Sequence, residues 1–160
     1  MKRVTCFLGA LFVGAACSSS TGLSSSHATA LTDSVRTFMG AVAHDVTAQG
    51  PAGWRAQFVT DSTFFMAAAG RLEFSSGAAA QRAIDQLTRV MRQLTLTWGD
   101  SIRIDPLRPG LAAVGAAYHE LRIDSAGHQV EESGYFTGLA EHTRLGWRLR
   151  NAHWSVNTPP

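Results

Sequence analysis

Two periods of apolar positions divide the chain. Leu31, Val35, Phe38, Met39, Val42 and Val46 recur at spacings of three and four behind an N-cap offered by Thr32 and Asp33. That spacing predicts an amphipathic helix that stops at Gly50-Pro51. Trp54 and Phe58 follow in a short helical turn or loop. Phe58 to Met66, rich in Phe, Thr and Val, predicts a strand, and Gly70 turns the chain into a second one at Arg71 to Phe74. Ser75, Ser76 and Gly77 then open a second helix, whose apolar stripe is Ala80, Ile84, Leu87, Met91 and Leu94.

Beyond this helix the period drops to two. Leu94, Leu96, Trp98, Ile102 and Ile104 share one parity, and Thr95, Thr97, Ser101 and Arg103 share the other. Turns at Pro106 to Gly110, Asp124 to Gly127 and Thr143 to Gly146 bound strands at Leu111 to Ile123, His128 to His142 and Trp147 to Asn157. Helices and a hairpin followed by long antiparallel strands predict an α+β fold, with helices packed on one face of a curved sheet.

The N-terminus follows neither period. Lys2 and Arg3 precede thirteen mostly apolar or small residues, Val4 to Ala16, and Gly14-Ala15-Ala16-Cys17 ends the run with small side chains. This is the pattern of an export signal over residues 1–16, too short to span a bilayer. It resembles the lipobox of bacterial lipoproteins, apart from Gly14 where an aliphatic is usual. The resemblance implies lipid attachment at Cys17 and a place in the cell envelope, facing the periplasm or on the outer membrane. Eight of the thirteen residues from Ser18 to Ala30 are Ser or Thr, so residues 17–30 are expected to form a tether. The folded domain is expected over 31–157, with a tail at 158–160.

Charge changes its meaning once this segment is set aside. The whole chain has 14 Lys and Arg against 12 Asp and Glu. Lys2 and Arg3 belong to the leader, and the rest of the chain balances twelve Arg with the twelve acids, so no nucleic-acid partner is expected. Both cysteines, Cys6 and Cys17, lie in the leader or at its boundary, and no lysine follows Lys2. The domain therefore has no disulfide, no thiol nucleophile and no Schiff-base lysine.

Three segments resemble the SnoaL-like branch of the nuclear transport factor 2-like (NTF2-like) superfamily. They are Phe58 to Phe64 with its Asp61, the Gly-led helix start Gly77 to Ile84, and the last strand Gly146 to Ser155 with its H-x-S ending. The resemblance implies a cone, in which a strongly curved antiparallel sheet wraps two or three N-terminal helices around a pocket. Members of this superfamily serve as isomerases, cyclases, hydrolases, small-molecule binders or dimerisation modules, so the chemistry has to come from residues.

On the last strand Trp147, Leu149, Asn151, His153 and Ser155 share the parity expected to face inward, with Arg148, Arg150, Ala152, Trp154 and Val156 outward. His153 is then either a pocket acid or base beside an amide and a hydroxyl, or a core histidine satisfied by a neighbour. The resemblance implies a carboxylate base with a tyrosine donor, for which Asp61 and Glu120 are the acids and Tyr118 or Tyr135 the donors. Trp54, Phe64, Trp98 and Tyr118 are expected to line an apolar cavity, joined by Tyr135, Asn151, His153 and Ser155. His119, His128, His142 and His153 are scattered without ligand spacing, and no nucleotide loop or GxSxG elbow occurs, so neither a metal nor a cofactor is expected.

The functions carried forward are three. They are an envelope-tethered binder of a small, largely apolar ligand, a cofactor-independent isomerase or lyase, and a structural module with a filled cone. A homodimer through the sheet is expected from Trp154 and Val156 beside Arg148 and Arg150 on its outer face.

Overall fold

The computed structural model describes residues 23–157. The expected signal, Cys17, the first part of the tether and the tail lie outside them. Helix α1 spans Ser25–Gln49 and runs into a 3-10 helix at Gly50–Ala56. Strands β1 (Phe65–Ala68) and β2 (Arg71–Phe74) form a hairpin, followed by α2 (Gly77–Val90). Four long strands complete the chain, β3 (Met91–Arg108), β4 (Leu111–Asp124), β5 (Gln129–Thr143) and β6 (Gly146–Val156).

All six residues of the first apolar stripe are buried in α1. The helix begins at Ser25 rather than beside Thr32 and Asp33, so residues 25–30 are helical and not tether. The Ser24 hydroxyl accepts from the His27 backbone N–H and caps the first turn, while Leu23 packs on the core and holds it there. Helix α2 is capped by Ser76, which accepts from the Ala79 N–H at 3.2 Å. A Cβ on Gly77 would stand 2.4 Å from the Thr60 backbone, so only glycine allows this helix start its close approach.

Three expected boundaries shift for identifiable reasons. Helix α2 ends at Val90, because Met91 and Leu94 leave the helical stripe to pair with Asp124 and Arg122 as the start of β3. The run from Phe58 to Phe64 is not a strand. Phe58 makes a single bridge to Leu149, and the Asp61 carboxylate accepts from the Thr63 N–H at 2.8 Å, folding the chain into a turn before β1. Strand β3 continues through Pro106 to Arg108. It lies at the sheet edge, where a missing N–H is tolerated.

The six strands form one sheet in the order β2-β1-β6-β5-β4-β3. Neighbours are antiparallel except β1 and β6, which run parallel, so the sheet is mixed rather than wholly antiparallel. Of the register shifts in the sheet, two set which residues of the long strands face inward. On β3, four steps from Trp98 to Ile102 match two steps on β4, an insertion of two residues that bends the strand and preserves its parity. On β6, Arg150 is a single extra residue between Leu149, paired with Ala140, and Asn151, paired with Leu139. One extra residue reverses the parity of everything after it.

Helix α1 lies across the inner face of β3. The Thr47 hydroxyl donates to the Leu96 carbonyl and accepts from the Leu96 N–H, and the Trp98 indole donates to the Met39 carbonyl at 2.8 Å. Near the other end of the sheet, the Trp147 indole donates to Ser34 at 2.8 Å.

Candidate functional site

Helix α2, the 3-10 helix and the concave side of the sheet enclose a cavity of about 370 Å³. Its apolar wall is built by Trp54, Phe58, Phe64, Met66, Ile84, Leu87, Met91 and Trp154. Phe58 stacks on Phe64 with ring centroids 4.6 Å apart, and Trp154 meets Trp54 edge to face at 5.8 Å. Behind this wall Trp154 also packs against Tyr118, Phe136 and Trp98, at 4.7, 4.8 and 5.9 Å. The aromatic wall is thus tied into the core.

Polar groups gather where β4 and β5 line the same space. Glu120 and Glu132 are direct partners across these strands, and both side chains face the cavity. Arg122 lies between them, its Nη2 donating to Glu132 Oε2 at 2.8 Å and its Nε 3.3 Å from Glu120 Oε1. The Tyr118 hydroxyl donates to the other oxygen of Glu132 at 2.8 Å. Gly134, the cross-strand partner of Tyr118, makes room for the ring, since a Cβ there would stand 3.0 Å from Tyr118 Cε1 and closer still to the Ser155 carbonyl. Arg71 and Glu73, paired on β2, complete the polar lining.

This setting perturbs two groups. Burial pushes the Glu120 carboxyl above its ordinary pKa; Arg122 opposes the shift and Glu132 adds to it. Tyr118 is pushed up first by burial and then by its bond to Glu132, so it stays a neutral donor. Glu120 is only 15% exposed and, among the described residues, receives no hydrogen bond beyond its ion pair with Arg122. Its carboxyl belongs to the lining of the cavity.

The expected site residues divide three ways. Trp54, Phe64 and Glu120 line the cavity, and Tyr118 lies behind its wall in the core, its hydroxyl held to Glu132. Trp98 is core, partnered by the Met39 carbonyl and Trp154. The other expected residues lie away from the cavity. Asp61 is exposed, its carboxyl lowered by hydrogen bonds from Thr63 and serving only the turn.

Asn151, His153 and Ser155 follow the Arg150 bulge and therefore face outward. The Asn151 side chain accepts from the Leu139 N–H, Ser155 donates to the Tyr135 carbonyl, and His153 is exposed. Tyr135, 45% exposed, lies on the same outer face. Ala152, Trp154 and Val156 take the inward places and line the cavity. This overturns the outer-face assignment of Trp154 and Val156 from which the dimer was expected.

Sequence reasoning missed several site residues, among them Arg71, Glu73, Arg122, Glu132 and Trp154. Glu132 had a signal: a hairpin turning at Asp124 to Gly127 sets it opposite Glu120. Trp154 had none, because nothing in the residues around Arg150 announces a bulge. Among the described residues no group of three or more His, Cys, Asp or Glu side chains is arranged to hold a metal ion.

No protein-family model matches the sequence, and no curated protein matches it. Solved structures are similar in fold. An NTF2-like superfamily protein from Salmonella enterica superposes with a TM-score of 0.68 at 12% identity, over 82% of this chain and 94% of that one. A proposed scytalone dehydratase from Novosphingobium aromaticivorans gives 0.69 at 12% identity, over 81% and 86%. A type 2 hexachlorocyclohexane dehydrochlorinase gives 0.64 at 8% identity, over 81% and 87%. At these identities the likeness establishes the fold, an NTF2-like cone.

Proposed function

We propose that the chain is an envelope-tethered, SnoaL-like domain that binds a small, largely apolar molecule in its cone. The cavity of about 370 Å³ carries this reading, since it is within the size range of small-molecule sites and combines an aromatic wall with a few convergent polar groups. A cone filled by its own side chains would leave no such space. Trp54 and Trp154 both touch the cavity, so indole fluorescence reports its occupation. Propylbenzene titrated into the purified chain is expected to shift the emission and to give saturation-transfer NMR signals. Absence of both, with propylbenzene and with polar phenyl analogues of similar size, overturns the reading.

A second reading, a cofactor-independent isomerase or lyase, is favoured by one observation. Glu120 is a carboxylate with raised proton affinity and open lone pairs against an apolar wall. In this reading Glu120 takes the proton next to a substrate carbonyl, and Arg122 stabilises the resulting oxyanion. Tyr118 acts only by holding Glu132. Deuterium exchange at the α-carbon of a small cyclic ketone is expected with the unaltered chain and lost in Glu120→Gln. Exchange no faster than in buffer overturns it.

Export rests on the sequence alone, through Lys2, Arg3, the apolar run and Cys17. Mass spectrometry of the chain from a bacterial envelope is expected to find a lipid on an N-terminal Cys17, and an unmodified N-terminus would refute lipidation. Homodimerisation is proposed on different residues from those first expected. Phe65, Leu72 and Tyr135 are 47%, 58% and 45% exposed, and their pairing places them on the outer sheet face.

A further inference from the structure

The polar wall of the cavity is unequal in what it can offer a bound molecule. It contains three carboxylates, Glu73, Glu120 and Glu132, and two guanidiniums, Arg71 and Arg122. Both guanidiniums are ion-paired within the wall. Arg71 Nε lies 2.5 Å from Glu73, and Arg122 spans Glu120 and Glu132. The neighbouring hydroxyl, that of Tyr118, donates to Glu132. Each cation of the wall is thus ion-paired with the wall's own acids, which outnumber the cations by one, whereas Glu120 keeps acceptor capacity and, among the described residues, receives no hydrogen bond.

We infer that the molecule this cavity takes carries a hydrogen-bond-donating head on its apolar body, a protonated amine or a hydroxyl set against Glu120, and that the cavity rejects carboxylate heads. The inference rests on the cavity being a binding site and adds the chemical class of its ligand. An ammonium or hydroxyl supplies the donor Glu120 lacks and leaves the Arg122 bridge intact. A carboxylate would have to compete with Glu120 and Glu132 for Arg122 while lying beside both, in surroundings of low dielectric.

Four phenyl compounds of nearly equal size separate the outcomes: propylbenzene, 2-phenylethanol, 2-phenylethylammonium and phenylacetate. They are titrated at pH 7 into the full chain and into Glu120→Gln, with indole fluorescence and saturation-transfer NMR as readouts. The ammonium is expected to bind at least about tenfold more tightly than phenylacetate, as one charge-assisted hydrogen bond provides. The alcohol should also bind ahead of phenylacetate. In Glu120→Gln the preference for ammonium over phenylacetate should shrink by about tenfold.

Phenylacetate binding as tightly as the ammonium or alcohol, propylbenzene binding alone, or a preference unchanged in Glu120→Gln each overturns the inference while leaving the cavity a binding site. If none of the four binds, propylbenzene included, the binding reading itself fails. The ranking on the unaltered chain decides the matter even where the variant does not fold.

Discussion

Glu120 and Glu132 stand directly opposite one another on β4 and β5, and the Arg122 guanidinium holds both. Like charges at such a pair repel, so Arg122 is what makes two ionised carboxylates tolerable there. Replacing Arg122 with Ala is expected to cost about 1–2 kcal/mol at pH 8, less than for a fully buried pair because Arg122 is about a third exposed. At pH 4, where protonation relieves the repulsion, the cost should fall. Urea denaturation of both proteins at the two pH values checks this, and a loss independent of pH would show that the arginine acts through packing.

Glu120 by itself makes the opposite prediction for pH. Its folded-state pKa is raised above the unfolded value, so the native state holds the proton more tightly than the unfolded chain does. Its contribution to stability is therefore full below the ordinary glutamate value of about 4.3 and is lost as pH rises through the raised one. Glu120→Gln, which cannot ionise, should match the unaltered chain near pH 4 and gain stability relative to it toward pH 8. Thermal midpoints across that range test the sign; a variant that falls behind as pH rises would mean that Arg122 outweighs burial.

Trp154 and its neighbour His153 test the bulge at Arg150. Trp154 meets four aromatic rings within 6 Å, whereas His153 is exposed on the outer face. Trp154→Ala should cost about 3 kcal/mol or more by opening a void, and His153→Ala should stay within about 0.5 kcal/mol. Chemical denaturation of the two variants reads the difference directly. The reverse ranking would restore the uninterrupted parity of β6.

That contrast also explains how far the sequence could be read. The stripe from Leu31 to Val46, the switch to period two, and the turns at Asp124 to Gly127 and Thr143 to Gly146 are local signals, and each appears in the fold. The parity of β3 from Leu94 to Ile104 survives because the irregularity between Trp98 and Ile102 inserts two residues. The parity of β6 does not, because Arg150 inserts one, and Asn151, His153 and Ser155 exchanged faces with Ala152, Trp154 and Val156. Boundaries moved where distant partners outweighed local pattern, as when Met91 and Leu94 left a helical stripe for strand pairing. The candidate site was legible at Trp54, Phe64 and Glu120, while Tyr118 reaches it only through Glu132. Glu132 required carrying the hairpin register across to the next strand, and the parallel pairing of β1 with β6 leaves no local mark.

The outer sheet face bears on assembly. Phe65, Leu72 and Tyr135 lie there exposed, and Tyr135 lies over Gly115, where an added Cβ would come within 3.0 Å of its hydroxyl. Sedimentation at micromolar concentration is expected to show a dimer, and Leu72→Glu, at an exposed position tolerant of change, should shift it toward monomer by about tenfold or more in dissociation constant. A chain that sediments only as monomer ends the dimer proposal.

Ala152 offers the cleanest separation of binding from folding. It is 4% exposed to solvent and faces the cavity between Leu149 and Trp154 on β6. As a lining residue of the cavity it has space beside it for a larger aliphatic that a close-packed core would deny. Ala152→Leu should therefore change stability by no more than about 1 kcal/mol, because added apolar burial offsets the strain of repacking against Trp154. The same side chain occupies the space the ligand would use, and propylbenzene affinity is expected to drop by about tenfold or more. Denaturation midpoints and the indole titration are measured on one preparation. A stable variant that binds propylbenzene undiminished would place the ligand elsewhere, whereas a large loss of stability would show that Ala152 lies in closed core rather than on a cavity wall.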